Sequence, residues 1–207
     1  MNFIKRMIRF FKQSDKASTE TEIFSLLSDF REAVKKQSKP LPERLNSPVS
    51  TADLERFESE FDIKLPSELV EMYQVHDGEG EFSCLFGGWR WLPIAEVASQ
   101  IKEIKSLEKD GFLDGTIDTS DYIPVFRNDD GVLFSKPSLN KSSLFLYESE
   151  YPDETKLVAN DTAEFITSFL KDYESGIFRY SETEARGGNT FVHFWASDGK
   201  PWYGRKS

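Results

Sequence analysis

Apolar positions along this chain follow two periods, one near 3.6 residues and one of two, and the switches between them mark out the elements. Ile23, Leu26, Leu27, Phe30 and Val34 share one face of a helix predicted over Thr21 to Gln37. Lys35 and Lys36 close it, since cations suit the negative end of a helix. Lys39-Pro40-Leu41-Pro42 follows as an extended connector. Leu54, Phe57 and Phe61 stand at i, i+3 and i+7 of a second helix, for which Ser50 or Thr51 supplies the cap. The residues three further on are not Glu or Gln, so the spacing predicts a cap and not a capping box. This helix ends near Asp62 to Leu65, because Pro66 disfavours helical backbone in the residue before it. Pro66 suits the first turn of a third helix, where its missing N–H costs nothing. That helix carries Leu69, Val70, Met72 and Tyr73 and stops at the turn His76-Asp77-Gly78.

Beyond the turn the pattern shortens. Phe82 to Phe86 and Trp89 to Leu92 read as strands joined at Gly87-Gly88 by a hairpin or bulge. Pro93 opens a long helix to about Asp110, with Ile94, Val97, Ile101, Ile104 and Leu107 inward, and a polar loop covers Gly111 to Ser120. Tyr122 to Phe126, Gly131 to Ser135 and Ser143 to Glu148 read as three strands, the first two joined by the tight-turn sequence Asn128-Asp129-Asp130-Gly131. A short strand near Lys156 to Val158 precedes a helix capped by Asp161 or Thr162, which buries Phe165, Ile166, Phe169 and Leu170. At the N-terminus Phe3, Ile4, Met7, Ile8 and Phe11 share a helical face, with Lys5, Arg6, Arg9 and Lys12 between them. A membrane-surface or partner helix is one reading. A helix packed on the domain or fraying is the other, and it is favoured because so short a segment anchors weakly. It is not a signal peptide, because charges interrupt the apolar run and no small-residue cleavage site follows. At the other end, apolar residues on both faces of Phe191 to Trp195 and a turn at Ala196 to Gly199 suggest a C-terminal hairpin.

The ordered set of motifs resembles the SUKH superfamily, which includes Smi/Knr-type fungal regulators of cell-wall assembly and many bacterial immunity proteins. The signature stands here as LERFESEFDIKLPSELVEMYQVHDGEG, then FGGWRWLPIAEVASQI, DYIPVFRNDDGVLFS, SLFLYESEYP and TAEFITSFLKDY, covering about Ile23 to Phe178. Many relatives carry an Asp after the Gly131 strand, where this chain has Phe134-Ser135-Lys136-Pro137. The resemblance implies an α+β single domain with a mainly antiparallel mixed sheet of about five to six strands and helices packed on one face and end. The domain is expected over residues 21–180, between a basic amphipathic extension (1–20) and a C-terminal hairpin extension (181–207).

Composition narrows the function. Over 207 residues, long enough to bury a real core, 36 acidic residues outnumber 26 basic ones, for a net charge of -10. This argues against nucleic-acid binding, which needs clustered Lys and Arg, and fits docking on a basic partner. No run approaches the roughly 20 apolar residues of a membrane span. A single cysteine, Cys84, excludes an internal disulfide framework and suits a reducing, cytoplasmic setting. In an apolar strand it reads as a buried, inert thiol. The only histidines, His76 and His193, lie far apart in sequence, so no zinc-ligand set is expected. His76 beside Asp77 could act as a base, but a His in a helix-ending turn is more often structural. Asn128-Asp129-Asp130-Gly131 lacks the alternating ligand order of a calcium loop. No nucleotide or nucleophile motif occurs. The expectation is a protein without cofactor or metal that is not an enzyme.

The resemblance implies an immunity protein that binds and neutralises a cognate protein toxin, with a regulatory scaffold of cell-wall assembly as the alternative. The residues expected to meet a basic toxin domain are Asp77, Glu79, Glu81, Asp129 and Asp130 for electrostatic steering. Trp89 and Trp91 are the candidate aromatic anchors, with core packing as their competing role.

Overall fold

A computed structural model describes residues 23–37, 41–81, 85–110, 122–128, 131–136, 142–148 and 156–176. The expected N-terminal basic helix, the loop after Gly111, the C-terminal hairpin, Cys84, Asp129, Asp130 and His193 lie outside the described residues. The helices are α1 (23–37), α2 (Thr51–Phe61), α3 (Ser67–Val75), α4 (Ile94–Lys109) and α5 (Thr162–Glu174). The strands are β1 (Arg90–Trp91), β2 (Ile123–Arg127), β3 (Gly131–Ser135), β4 (Leu144–Glu148) and β5 (Lys156–Ala159).

The five strands form one sheet in the order β1-β2-β3-β4-β5, every neighbouring pair antiparallel. The expected α+β domain with a mainly antiparallel sheet is therefore what the chain builds. A tight hairpin joins β2 to β3, as an antiparallel pair allows, whereas β1 reaches β2 only through α4. Val125 bulges out of register between Pro124 and Phe126, which accommodates a proline inside the sheet. Its carbonyl accepts the Leu92 N–H at 2.9 Å. The expected strand from Phe82 is described only from Leu85 onward, where Phe86 and Trp89 form an isolated bridge. Gly87 and Gly88 both have positive φ, at 60° and 97°, as a two-residue hairpin turn requires.

The sheet has two unlike faces. Leu133 pairs with Leu146 in register and both join the main core, whereas the neighbouring pair Phe134 and Phe145 lies on the opposite face. There Tyr122, Phe134 and Phe145 make a run of ring contacts, with centroids 4.7 and 5.7 Å apart. The main core centres on Phe86. Its ring stacks on Phe30 of α1 at 4.4 Å and meets Phe126 of β2 and Phe165 and Phe169 of α5 within 6.0 Å. Offset and edge-on aromatic contacts of this kind add to the burial of apolar area.

Helix ends follow local chemistry. Ser50 is the cap of α2, its Oγ accepting the Asp53 N–H at 3.2 Å while donating to Asp53 Oδ2 at 2.6 Å. Asp161 caps α5 by accepting the Glu164 N–H at 2.7 Å. The Leu-Pro corner is held by Glu58, whose Oε1 accepts the Leu65 N–H at 2.9 Å and whose Oε2 meets Lys64 at 2.6 Å. Pro66 and Pro93 each occupy the cap position rather than the first helical turn, with extended ψ of 145° and 149°. In α4 only Val97 and Ile101 are buried; Ile94 and Ile104 are half-buried, and Leu107, expected inward, is exposed. The apolar stripe of α4 outruns the sheet it packs against.

Candidate functional site

The turn that ends α3 is fastened by a strap running beside it. Moving along the strap, the Val49 N–H donates to Tyr73 O at 2.8 Å, the Asn46 N–H to Gly78 O at 3.0 Å, and the Asp77 and Gly80 N–H groups to Ser47 O and Arg44 O at 3.2 and 2.8 Å. Asn46 also donates its side-chain amide to Asp77 O at 2.8 Å. His76 Nδ1 lies 3.0 Å from Asn46 O, so a neutral ring donates to that carbonyl. Desolvation holds the His76 pKa below its ordinary value; the Asn46 contact opposes that shift, and the charge on Arg31 adds to it. The imidazole is a structural tie, as the helix-ending position suggested. Gly78 is required twice over. Its φ is +65°, and a Cβ there would sit 2.6 Å from the backbone of Leu92 and Pro93.

The acidic residues of the turn have unlike fates. Glu79 is fully buried. Its Oε2 accepts the Leu85 N–H at 2.9 Å and its Oε1 accepts the Trp91 N–H at 3.0 Å, while its own N–H donates to Trp91 O at 2.8 Å. One carboxylate thus closes the loop between α3 and β1. Burial, followed by the charge of Glu79, raises the Tyr173 pKa well above its ordinary value, and Tyr173 donates its hydroxyl to Leu85 O at 2.6 Å. Asp77 is half-buried and caps α4 from outside the helix, its Oδ1 accepting the Ile94 N–H at 2.7 Å. Desolvation raises its pKa, the Ile94 bond opposes that shift, and the charge of Glu96 adds to it. Glu81 is exposed.

Trp89 and Trp91 are also inside, 3% and 0% exposed, with the Trp91 ring 5.5 Å from that of Tyr73. Of the residues expected to meet a partner, the structure buries Glu79, Trp89 and Trp91 and leaves Asp77 half-buried and Glu81 exposed. Glu79 and both tryptophans are buried in the chain's own interior, with Tyr73 of α3 packed on Trp91. Asp77 and Glu81 keep access to solvent. Asp129 and Asp130 lie outside the described residues, although the flanking pair closes as a hairpin: the Gly131 N–H donates to Asn128 Oδ1 at 2.7 Å and the Asn128 N–H to Gly131 O at 3.1 Å.

Asp77 also lines a groove of about 360 Å³ between α2 and the start of α4. Val49, Phe57, Ile94 and Ala98 give it apolar surface, and Asp53, Arg56 and Glu60 line it together with Asp77. A second buried carboxylate had no signal in the sequence. Glu68, 2% exposed, accepts the Ser142 N–H, the Ser142 hydroxyl and the Thr162 N–H on Oε2 at 3.2, 3.0 and 3.2 Å. It ties α3 to the entry of β4 and the first turn of α5. Among the described residues no group of His, Cys, Asp and Glu is placed to hold a metal ion, and no helix is long and apolar enough to cross a membrane.

The described residues thus form an α+β domain in which helices pack with an antiparallel five-stranded sheet, buried carboxylates tie the loops and an open groove lies beside α2. A model of the SMI1 / KNR4 family (SUKH-1) matches residues 48–168, and the chain belongs to that family. It is also similar to KNR4/SMI1 homolog 1 of the yeast Debaryomyces hansenii, 39% identical over 67 residues. That stretch is 30% of this chain and 15% of the relative, so this chain spans a small part of the relative's length.

Proposed function

We propose that this chain is a non-catalytic interaction protein that acts as an immunity protein, covering and neutralising a cognate protein toxin. The charge distribution carries the reading. Residues 23–176 hold 30 of the 36 acidic residues but only 16 of the 26 basic ones, so the folded body is more acidic than the chain as a whole. A surface of that sign speeds encounter with a basic partner and disfavours acidic ones. Asp77 and Glu81, with Asp129 and Asp130, supply steering charge, and the contact energy comes from apolar surface beside them.

Membership of the SMI1 / KNR4 family supports a second reading, the scaffold in the regulation of cell-wall assembly that the resemblance to fungal members implies. Co-purification from the native host followed by identification of the bound protein separates the two. The immunity reading expects a partner whose expression alone arrests growth, with growth restored when this chain is co-expressed. A harmless partner that belongs to the wall-building machinery would overturn that reading in favour of the scaffold.

A further inference from the structure

We propose that the groove between α2 and the start of α4 is the docking site for a basic side chain of a protein partner, its cationic head on Asp77 and its aliphatic stem on Phe57, Ile94 and Ala98. This inference rests on the interaction reading above and names the face that performs it. Two of the three lining carboxylates already have cations: Asp53 meets Arg56 and Glu60 meets Lys102, each at 2.7 Å. Glu96, whose charge acts on Asp77, is paired with Arg90. Asp77 differs. It accepts one backbone N–H on Oδ1, and among the described residues no Lys or Arg forms an ion pair with it. It is a half-buried carboxylate in a groove that mixes apolar and charged groups, where the one lining cation, Arg56, is already held by Asp53. An Arg or Lys matches that combination, since such side chains bury their methylene stems while the head seeks an anion. An acidic or uncharged apolar occupant would leave Asp77 desolvated without compensation.

The test uses the full chain and a short synthetic peptide of alternating arginine and leucine as probe, with a glutamate-for-arginine peptide as control. Amide shifts are followed by NMR during titration. The expected result is shifts confined to the groove, centred on Asp53, Phe57, Asp77 and Ile94, with none from the control peptide. Asp77→Asn keeps an acceptor for the Ile94 N–H but removes the charge, and should weaken binding roughly tenfold. Ala95→Arg, at an exposed position of α4 lining the same groove, should abolish it by supplying the cation from within. Equal affinity of Asp77→Asn and parent overturns the proposal. So do shifts spread over the whole surface, or a groove closed to the probe because the chain's own basic residues 1–12 occupy it. The two readings fail separately. A co-purified toxin that binds Asp77→Asn and Ala95→Arg as tightly as the parent removes the groove and leaves the immunity function. A groove that takes the peptide while the co-purified partner proves harmless removes the immunity function and leaves the groove.

Discussion

Glu79 and Asp77 lie two positions apart in one turn, yet their carboxylates have opposite relations to solvent. Glu79 is sealed in and accepts two backbone N–H groups, those of Leu85 and Trp91. Replacing it with Gln leaves one oxygen where two are needed and turns an amide donor toward an N–H. Glu79→Gln should therefore cost about 1–3 kcal/mol of unfolding free energy in urea titration, the range for a buried donor left unsatisfied. Asp77 can be tested through pH. Its folded pKa lies above the ordinary 3.8, so ionisation costs more in the folded chain than in the unfolded one. Stability from this group is full below that ordinary value and is lost as pH rises through the folded pKa. Asp77→Asn removes the penalty and keeps the cap. Its unfolding free energy relative to the parent should rise across that acidic window and then level off. The gain should stay under about 1 kcal/mol because the group is half in water. A difference that does not change with pH would contradict the account.

Elements are joined in this protein by charged side chains as well as by apolar contact. Glu68 of α3 accepts three hydrogen bonds from two segments that lie 74 and 94 positions further along the chain. Glu68→Gln should destabilise by about 1–3 kcal/mol, the desolvation cost of the groups it leaves partly unmatched. The loss should appear as faster amide exchange at Ser142 and Thr162 before the sheet itself opens, because the tie lies at the margin of the sheet. Uniform exchange across the domain would mean that α3 and α5 come apart only in global unfolding. The aromatic node is the apolar counterpart of that tie. Phe86, on the hairpin before β1, touches rings from α1, β2 and α5. Phe86→Ala should cost about 3–5 kcal/mol in the same titration, through lost burial and the cavity left behind.

For the molecule as a whole, the acid excess of residues 23–176 bears on encounter in the proposed role and not on the fold. Glu55 and Glu81 are exposed and lie outside the groove lining, so charge reversal there should leave the fold intact. Glu55→Lys with Glu81→Lys should slow association with a basic partner by about tenfold at low salt. The gap between variant and parent should close as ionic strength rises and the Debye length falls toward about 8 Å. Stopped-flow association at two salt concentrations measures this, and a rate difference that ignores salt would assign the effect to direct contact instead.

Local patterns in the chain determined much of this protein. The apolar periods marked α1 to α5 and the strands β2 to β5. The prolines at 66 and 93, the caps at Ser50 and Asp161 and the glycine pair at 87 and 88 set their borders, because each acts on backbone within a few residues. The ordered motifs also pointed to the family that the domain match then showed. Only the tertiary structure decided which polar and aromatic residues look outward. Asp77, Glu79 and Glu81 read alike in sequence, and Trp89 and Trp91 could as well have been anchors as core. Their roles depend on distant packing: Tyr73 of α3 packs on Trp91 and Glu79 bonds the Leu85 and Trp91 N–H groups, so Glu79 and both tryptophans are buried while Asp77 lines an open groove. Glu68 shows the same limit, since its partners are brought to it from a distant part of the chain and a local pattern carries no trace of them.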